Sequence, residues 1–351
     1  MKAERSAPAE GPAPVTPGRS GVPSPALLRR AGGPALALVI IVVACVWGLG
    51  PGAVAAVRIG TIVLMYAALA QGWNLLGGYA GYVNFGTVIF FGVGAYTTAI
   101  TASAWHLNPL VTAPLAGLAA AVVAVVIGIP TLRLRGGYFA IATFVLTLAV
   151  QALALILPIT NGSQGKFVPS INMSLDRATR LFFVLFLGLT VVATLICWLV
   201  EHTRWEAALV AIREDEDAAE VLGVPTVRLK STALVISSVI AGVAGSFYAI
   251  QLFYIEPTGT FDFNVSLAVV VAAVIGGAGR WFGPLIGAVI TQLLAQELFV
   301  HIQGVYNQLS YGALLVVVVL VAPRGLASLL RRRPAGRRPA GPRPAGGRIG
   351  V

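Results

Sequence analysis

Charge is what this sequence has least of. Only 11% of its 351 residues are Asp, Glu, Lys or Arg, against about 25% in an ordinary soluble domain. Histidine occurs three times, as His106, His202 and His301, far apart in the chain. Cysteine occurs twice, as Cys45 and Cys197. Both sit in apolar runs without metal-ligand or redox spacing, so they read as small buried hydrophobes. Hydrolytic and redox enzymes need nucleophiles, acids or metal ligands held together. The sequence contains no H-E-x-x-H, C-x-x-C or G-x-S-x-G motif, which argues against an enzyme and against a metal site. It also lacks a G-x-x-x-x-G-K-[ST] phosphate loop, so it has no Walker-type ATP site of its own. Acids within the apolar runs are nearly absent. Glu297 is the exception, with His301 at i+4, read as an interfacial pair rather than a buried functional acid. That scarcity weighs against proton-coupled transport.

What is abundant is apolar surface. Hydrophobic residues make up 57% of the chain and the mean hydropathy is +0.87. A soluble core of this size cannot hide that much, so the bilayer is the solvent that accepts it. The 40 glycines suit membrane helices packed at short backbone separation. The expected fold is all-α, a polytopic bundle of about ten (eight to ten) membrane segments. They lie near 35–50, 54–76, 86–104, 110–129, 138–157, 181–200, 232–252, 264–279, 284–301 and 308–322. Several fall short of the ~20 residues of a straight span and read as half-helices or re-entrant segments. Residues 1–33, rich in Pro, Gly, Ala and Ser, and the basic stretch 327–351 read as disordered cytoplasmic tails flanking a transmembrane domain at 34–326.

The net charge of +11 fits topology better than nucleic-acid binding. With the N-terminus inside and ten crossings, 20 of the 24 Lys and Arg fall on the inner side; only Arg58, Lys166, Arg177 and Arg180 fall outside. This is the positive-inside pattern, and both termini are expected in the cytoplasm of a bacterial cell with the chain in its inner membrane. A reporter fused after Arg324 is expected to read as cytoplasmic; a periplasmic signal there would overturn the topology.

Two loops exceed simple turns, an outer one at 158–180 and an inner one at 201–231. In the inner loop, Thr203 and Glu206 have capping-box spacing, and Gly223 with Pro225 reads as a helix stop. Trp205, Ala208, Leu209, Ile212, Ala219 and Leu222 recur at helical spacing. The expectation is one amphipathic helix whose polar face carries Arg213, Glu214, Asp215, Glu216 and Asp217. A helix lying on the headgroups is the simpler alternative, but an anionic leaflet would repel four successive acids. A docking surface for a cytoplasmic protein fits better. GGYAGYVNFG from Gly77 and GGAGRWFG from Gly276 echo each other and fall on the same side, either as a parallel internal repeat or as coincidence between glycine-rich stretches.

Several motifs in order carry a family resemblance: NLLGGYAGYVNFG (Asn74–Gly86) leading into FFGVGAY (Phe90–Tyr96), RLRGGYFAIAT (Arg133–Thr143), TNGSQG (Thr160–Gly165), AIREDEDAAEVLG (Ala211–Gly223) and IGGAGRWFGPLIGA (Ile275–Ala288). Over residues 35–326 the chain resembles the inner-membrane permeases of branched-chain amino acid ABC importers, the LivM type. The resemblance implies a homologous second permease (LivH type, or a second copy), two cytoplasmic ATPases that bind the ATP, and an extracytoplasmic solute-binding protein, with no cofactor in this chain. Asp217-Ala218-Ala219 with Gly223 looks like the E-A-A-x-x-x-G loop of ABC importers, Asp replacing Glu. That implies an ATPase-coupling element at Arg213, Glu214, Asp215, Asp217, Ala218, Ala219 and Gly223. A translocation pathway is expected near Asn74, Gly78, Gly81, Asn84, Gly86, Gly277, Gly279 and Gly283, with close helix packing as the plainer role for the glycines. Asn161, Gly162, Ser163 and Gly165 would face the binding protein through tight turns of positive φ. Many relatives have Ser and His where Asn84 and Thr87 stand, which leaves the solute open. Urea, short amides or other small polar solutes are the neighbouring alternative, and an ion-coupled secondary transporter the more distant one.

Overall fold

A computed structural model describes residues 54–301 except 106, 170 and 172, with side chains withheld at 55 and 296–301. The tails, the apolar runs at 35–50 and 308–322, Cys45, His106 and the Glu297–His301 pair lie outside what is described. Within it, eight of the expected apolar segments form helices. They are α1 (Val54–Trp73), α2 (Thr87–Trp105), α3 (Ala113–Thr131), α4 (Gly137–Ile156), α5 (Leu175–Glu201), α8 (Thr226–Leu252), α9 (Phe263–Gly276) and α10 (Gly283–His301), with two short helices, α6 (Arg204–Glu214) and α7 (Glu216–Val221), in the inner loop. Among the described residues seven helical stretches are long and apolar enough to cross a membrane, and Gly283–Ala295 is a shorter apolar one. The fold is all-α and polytopic, as expected.

Helices α1 and α8 form the centre. Each is mostly buried, whereas α3 and α4 leave most of their surface open. Helix α8 packs along α2 and α3, while α1 packs on α5, α9 and α10. Small residues set the closest approaches. A Cβ at Gly94 of α2 would collide with the backbone carbonyl of Gly242 in α8, a contact that only glycine permits. Gly94→Ala is therefore expected to cost about 1–3 kcal/mol from overpacking, read as a lower unfolding midpoint in detergent. The buried side chain of Cys197 contacts the Gln71 carbonyl at 3.3 Å, which fits its reading as a small core residue.

Alternate loops gather at opposite ends. At one end the 158–180 loop runs through the two-residue strand β1 (Lys166–Phe167), which pairs antiparallel with β2 (Tyr254–Ile255). At the other end, Leu132 and Arg135, helices α6 and α7, Lys230 and residues 279–281 meet. This second end collects most of the positive charge of the described loops and is the cytoplasmic one by the positive-inside rule.

Candidate functional site: a mid-membrane break tied to the cytoplasmic helices

Helix α1 does not end cleanly. Its last turn widens into a π-helical segment, Asn74–Tyr79, and the chain then runs outside any helix from Gly81 to Gly86. Burial along this stretch alternates, with Tyr82, Asn84 and Gly86 buried and Gly81 and Val83 exposed, as expected of an extended segment with a two-residue period. Gly81 turns the chain into it at φ +75°.

Side-chain bonds fix the depth of the break. The Phe85 N–H donates to Thr143 Oγ1 (3.1 Å), and Thr147 Oγ1 donates to the Phe85 carbonyl (3.2 Å). These threonines stand six and ten residues into α4, about 9 and 15 Å from its cytoplasmic start at 1.5 Å per residue. The Val88 N–H donates to Ser266 Oγ at 3.0 Å, ten residues before α9 ends. Helix α2 thus starts inside the apolar layer, about 9–15 Å from the cytoplasmic start of α4. Non-helical backbone survives at that depth only where its polar groups are satisfied inside the protein or by cavity water. Here Asn84 Oδ1 accepts from the Gly86 N–H (2.8 Å) and Trp73 Nε1 donates to the Asn84 carbonyl (2.8 Å). The break is therefore a built feature. Sequence reasoning picked Asn84 and Gly86 but missed the supporting Thr143, Thr147, Trp73 and Ser266. Two threonines at i, i+4 in an otherwise apolar helix were the available signal.

Below the break the two echoing glycine stretches meet. Asn74, fully buried, bridges them: its Oδ1 accepts from the Gly279 N–H (2.8 Å) and its Nδ2 donates to the Arg280 carbonyl (3.0 Å). Gln71 Nε2 donates to the Trp281 carbonyl at 2.6 Å, and the Trp281 N–H donates to Glu201 at 3.0 Å. Gly279 needs its φ of +80° to bring its N–H onto Asn74, a conformation other residues adopt only with strain. Gly78 faces Gly279 with no room for a Cβ, and Gly283 packs on the Gly277 carbonyl. Asn74, Gly78, Gly81, Gly277, Gly279 and Gly283 are thus drawn into one cytoplasmic-end frame, with Asn84 and Gly86 above it.

The inner loop corrects one expectation. The single amphipathic helix is two, α6 and α7, because Asp215 is extended (φ −159°, ψ 109°). Asp215 serves as N-cap of α7, its side chain accepting from the Ala218 N–H at 3.0 Å. A short acidic side chain competes with helical backbone bonding and favours a cap. Thr203 does sit at the N-cap of α6, but its hydroxyl donates to the Val200 carbonyl instead, so its half of the capping box is not made. Leu209, Ile212 and Ala219 are buried as the periodicity implied, whereas Leu222 is 81% exposed beside Val221 at 88%. Gly223 ends α7 at φ +84°. The acids do not share one solvent face either. Asp217 pairs with Arg135 (2.6 Å) and Glu214 with Arg213 (3.3 Å). Arg213 also reaches inward, donating to the Gly78 carbonyl at 3.3 Å. Ala218 lies in α7 beside the buried Ala219.

Sequence reasoning placed Lys230 in the inner loop, but it lies in the second turn of α8 and is 1% exposed. Its ammonium meets Glu216, the Tyr82 hydroxyl (3.2 Å) and the Leu132 carbonyl (3.4 Å). The Tyr82 hydroxyl donates to the other Glu216 oxygen. Burial alone would raise the Glu216 pKa. The bonds from Lys230 and Tyr82, with the Lys230 and Arg135 charges, outweigh this and hold it below its ordinary value.

At the opposite end, Asn161, Gly162 and Gly165 all take positive φ, as their residue types suggested. Asn161 Nδ2 donates to the Gly165 carbonyl (3.0 Å) and Tyr254 Oη to the Gln164 carbonyl (2.9 Å). Asn161 and Ser163 are exposed at the tip.

Comparison with known proteins gives this arrangement relatives. The family model for the branched-chain amino acid transport system permease component matches residues 55–322. The permease protein LivM of the high-affinity branched-chain amino acid transport system of Salmonella typhimurium is 32% identical over 327 residues, covering 84% of this chain and 75% of LivM. Escherichia coli LivM is 29% identical over the same shares. LivH of Escherichia coli, also a permease protein of such a system, is 26% identical over 296 residues, covering 76% of this chain and 92% of LivH. No solved structure matches the chain.

Proposed function

This chain belongs to the branched-chain amino acid transport permease family, and from that premise we propose that it is the membrane subunit of an ATP-driven importer of branched-chain amino acids. It works beside a second, homologous permease. Separate ATPase subunits dock on α6 and α7, and a solute-binding protein docks at the 161–165 turn. ATP is bound by the ATPases and not by this chain.

The observation that carries this reading is the physical continuity between the cytoplasmic helix pair and the mid-membrane break. Arg213 of α6 bonds the Gly78 carbonyl in the segment that leads directly into the extended stretch. An ATPase moving α6 and α7 would therefore act on backbone already interrupted inside the apolar layer, where an inward-facing path would have to open. The exposed Val221 and Leu222 at the tip of α7 are an apolar contact suited to a cytoplasmic partner. Broken helices near the bilayer midplane recur in transporters because unwound backbone offers polar groups to a solute where helix cannot.

Purification of the chain from native membranes in mild detergent is expected to bring down an ATPase subunit and a second permease. Recovery of the chain alone, with leucine uptake independent of ATP, would reject the importer reading. Arg213→Ala is expected to leave leucine capture by the binding protein intact and to remove solute-stimulated ATP hydrolysis.

A further inference from the structure

Lys230 is the one described lysine or arginine buried to 1% exposure, and nothing in the proposed coupling route uses it. Its three ammonium protons have three acceptors on three other chain segments: Glu216 on α7, Tyr82 at the root of the extended stretch, and the Leu132 carbonyl in the loop between α3 and α4. Tyr82 closes the ring by donating to Glu216, and Lys230 Nζ sits 4.6 Å from the Tyr82 ring centroid. The Tyr82 ring also packs edge-on against Phe139 of α4 at 5.3 Å, and Arg135 approaches Glu216 to 3.9 Å.

A buried ion pair is a poor way to gain stability, because desolvation offsets most of the attraction and an apolar pair of similar volume does as well. It is a good way to enforce one arrangement, since separating the partners strands a charge. Two residues beyond Tyr82 stands Asn84, whose carbonyl and side chain hold the mid-membrane break.

We propose that Lys230, Glu216 and Tyr82 form a positioning lock that transmits movement of α7 to the mid-membrane break, so that α7 cannot shift without drawing Tyr82 and the stretch to Asn84 with it. The inference rests on the importer reading, which supplies the force on α7. It adds a second strut to the one at Arg213. That strut grips the π-helical segment before the break, whereas this one grips the extended stretch itself.

The test uses the complete transporter in proteoliposomes, with radiolabelled leucine delivered by the binding protein, and reads leucine imported per ATP hydrolysed. Two variants remove the lock without stranding a charge. Tyr82→Phe deletes one hydroxyl and keeps the ring on Phe139; Lys230→Met/Glu216→Leu replaces the ion pair with an apolar pair. Both are expected to import at least fivefold less leucine per ATP while hydrolysis stays within twofold of wild type. A purely structural role would lower uptake and hydrolysis together, and that result, or an unchanged ratio, overturns the lock. Should the double variant fail to assemble, Tyr82→Phe decides alone. Wild-type liposomes that import no leucine with ATP would instead reject the importer reading, so the two failures are distinguishable.

Discussion

Asn74→Ala is expected to lower ATP-driven leucine uptake by more than tenfold. The Asn74 amide is fully buried and serves two backbone groups of the opposite glycine stretch, the Gly279 N–H and the Arg280 carbonyl. Truncation removes the acceptor of the Gly279 N–H and one donor to the Arg280 carbonyl. A buried polar group stranded in this way costs about 1–3 kcal/mol. Gly279 is only partly buried, so water recovers some of the loss, and about 1–3 kcal/mol is the expected range. A shift of 1.4 kcal/mol in a conformational equilibrium is a factor of ten, enough to unhinge the two stretches in most molecules. Asn161→Gly is the control: it also loses an amide–carbonyl bond, to Gly165, but at an exposed residue whose positive φ glycine keeps without strain. Its stability change is expected to be under about 1 kcal/mol.

Lys230→Ala is expected to be the most destabilising single substitution at the cytoplasmic end. It takes the nearest cation from the Glu216 carboxylate, whose side chain is only 11% exposed, leaving it the Tyr82 hydroxyl and Arg135 at 3.9 Å, and removes a donor from the Leu132 carbonyl. Breaking a buried pair from one side costs about 3–5 kcal/mol, while replacing both partners with apolar residues is near neutral. Lys230→Met/Glu216→Leu should therefore unfold in detergent close to the wild-type midpoint and Lys230→Ala far below it. Equal midpoints for the two would show that the pair carries no such penalty.

Hydropathy and positive charge made the bundle legible in the sequence because both are summed over many residues. A run such as Ala113–Thr131 declares itself by composition alone. The turns at Asn161, Gly165 and Gly223 were legible too, since positive φ selects Gly and Asn. What the sequence concealed depends on contacts between distant segments. Nothing local marks Lys230 as buried: four residues after Thr226 it reads as the end of a loop, and only the partners from α7 and the extended stretch make burial tolerable. The division of the inner helix at Asp215 was hidden for a related reason. A run of four acids suggests one solvated face, yet Glu216 and Asp217 have cationic partners on α8 and in the 132–135 loop, and the chain breaks at Asp215 to deliver them. The start of α2 inside the apolar layer was half visible: the glycines and Asn84 signalled unwinding, but its depth follows only from Thr143, Thr147 and Ser266.

The importer reading and the secondary-transporter alternative differ in one measurable respect, the source of energy. Proteoliposomes holding the purified complex, with α6 and α7 facing the nucleotide, are expected to accumulate radiolabelled leucine only with hydrolysable ATP and loaded binding protein. That accumulation should be indifferent to collapse of the sodium and proton gradients. Accumulation driven by either gradient without ATP would contradict the account.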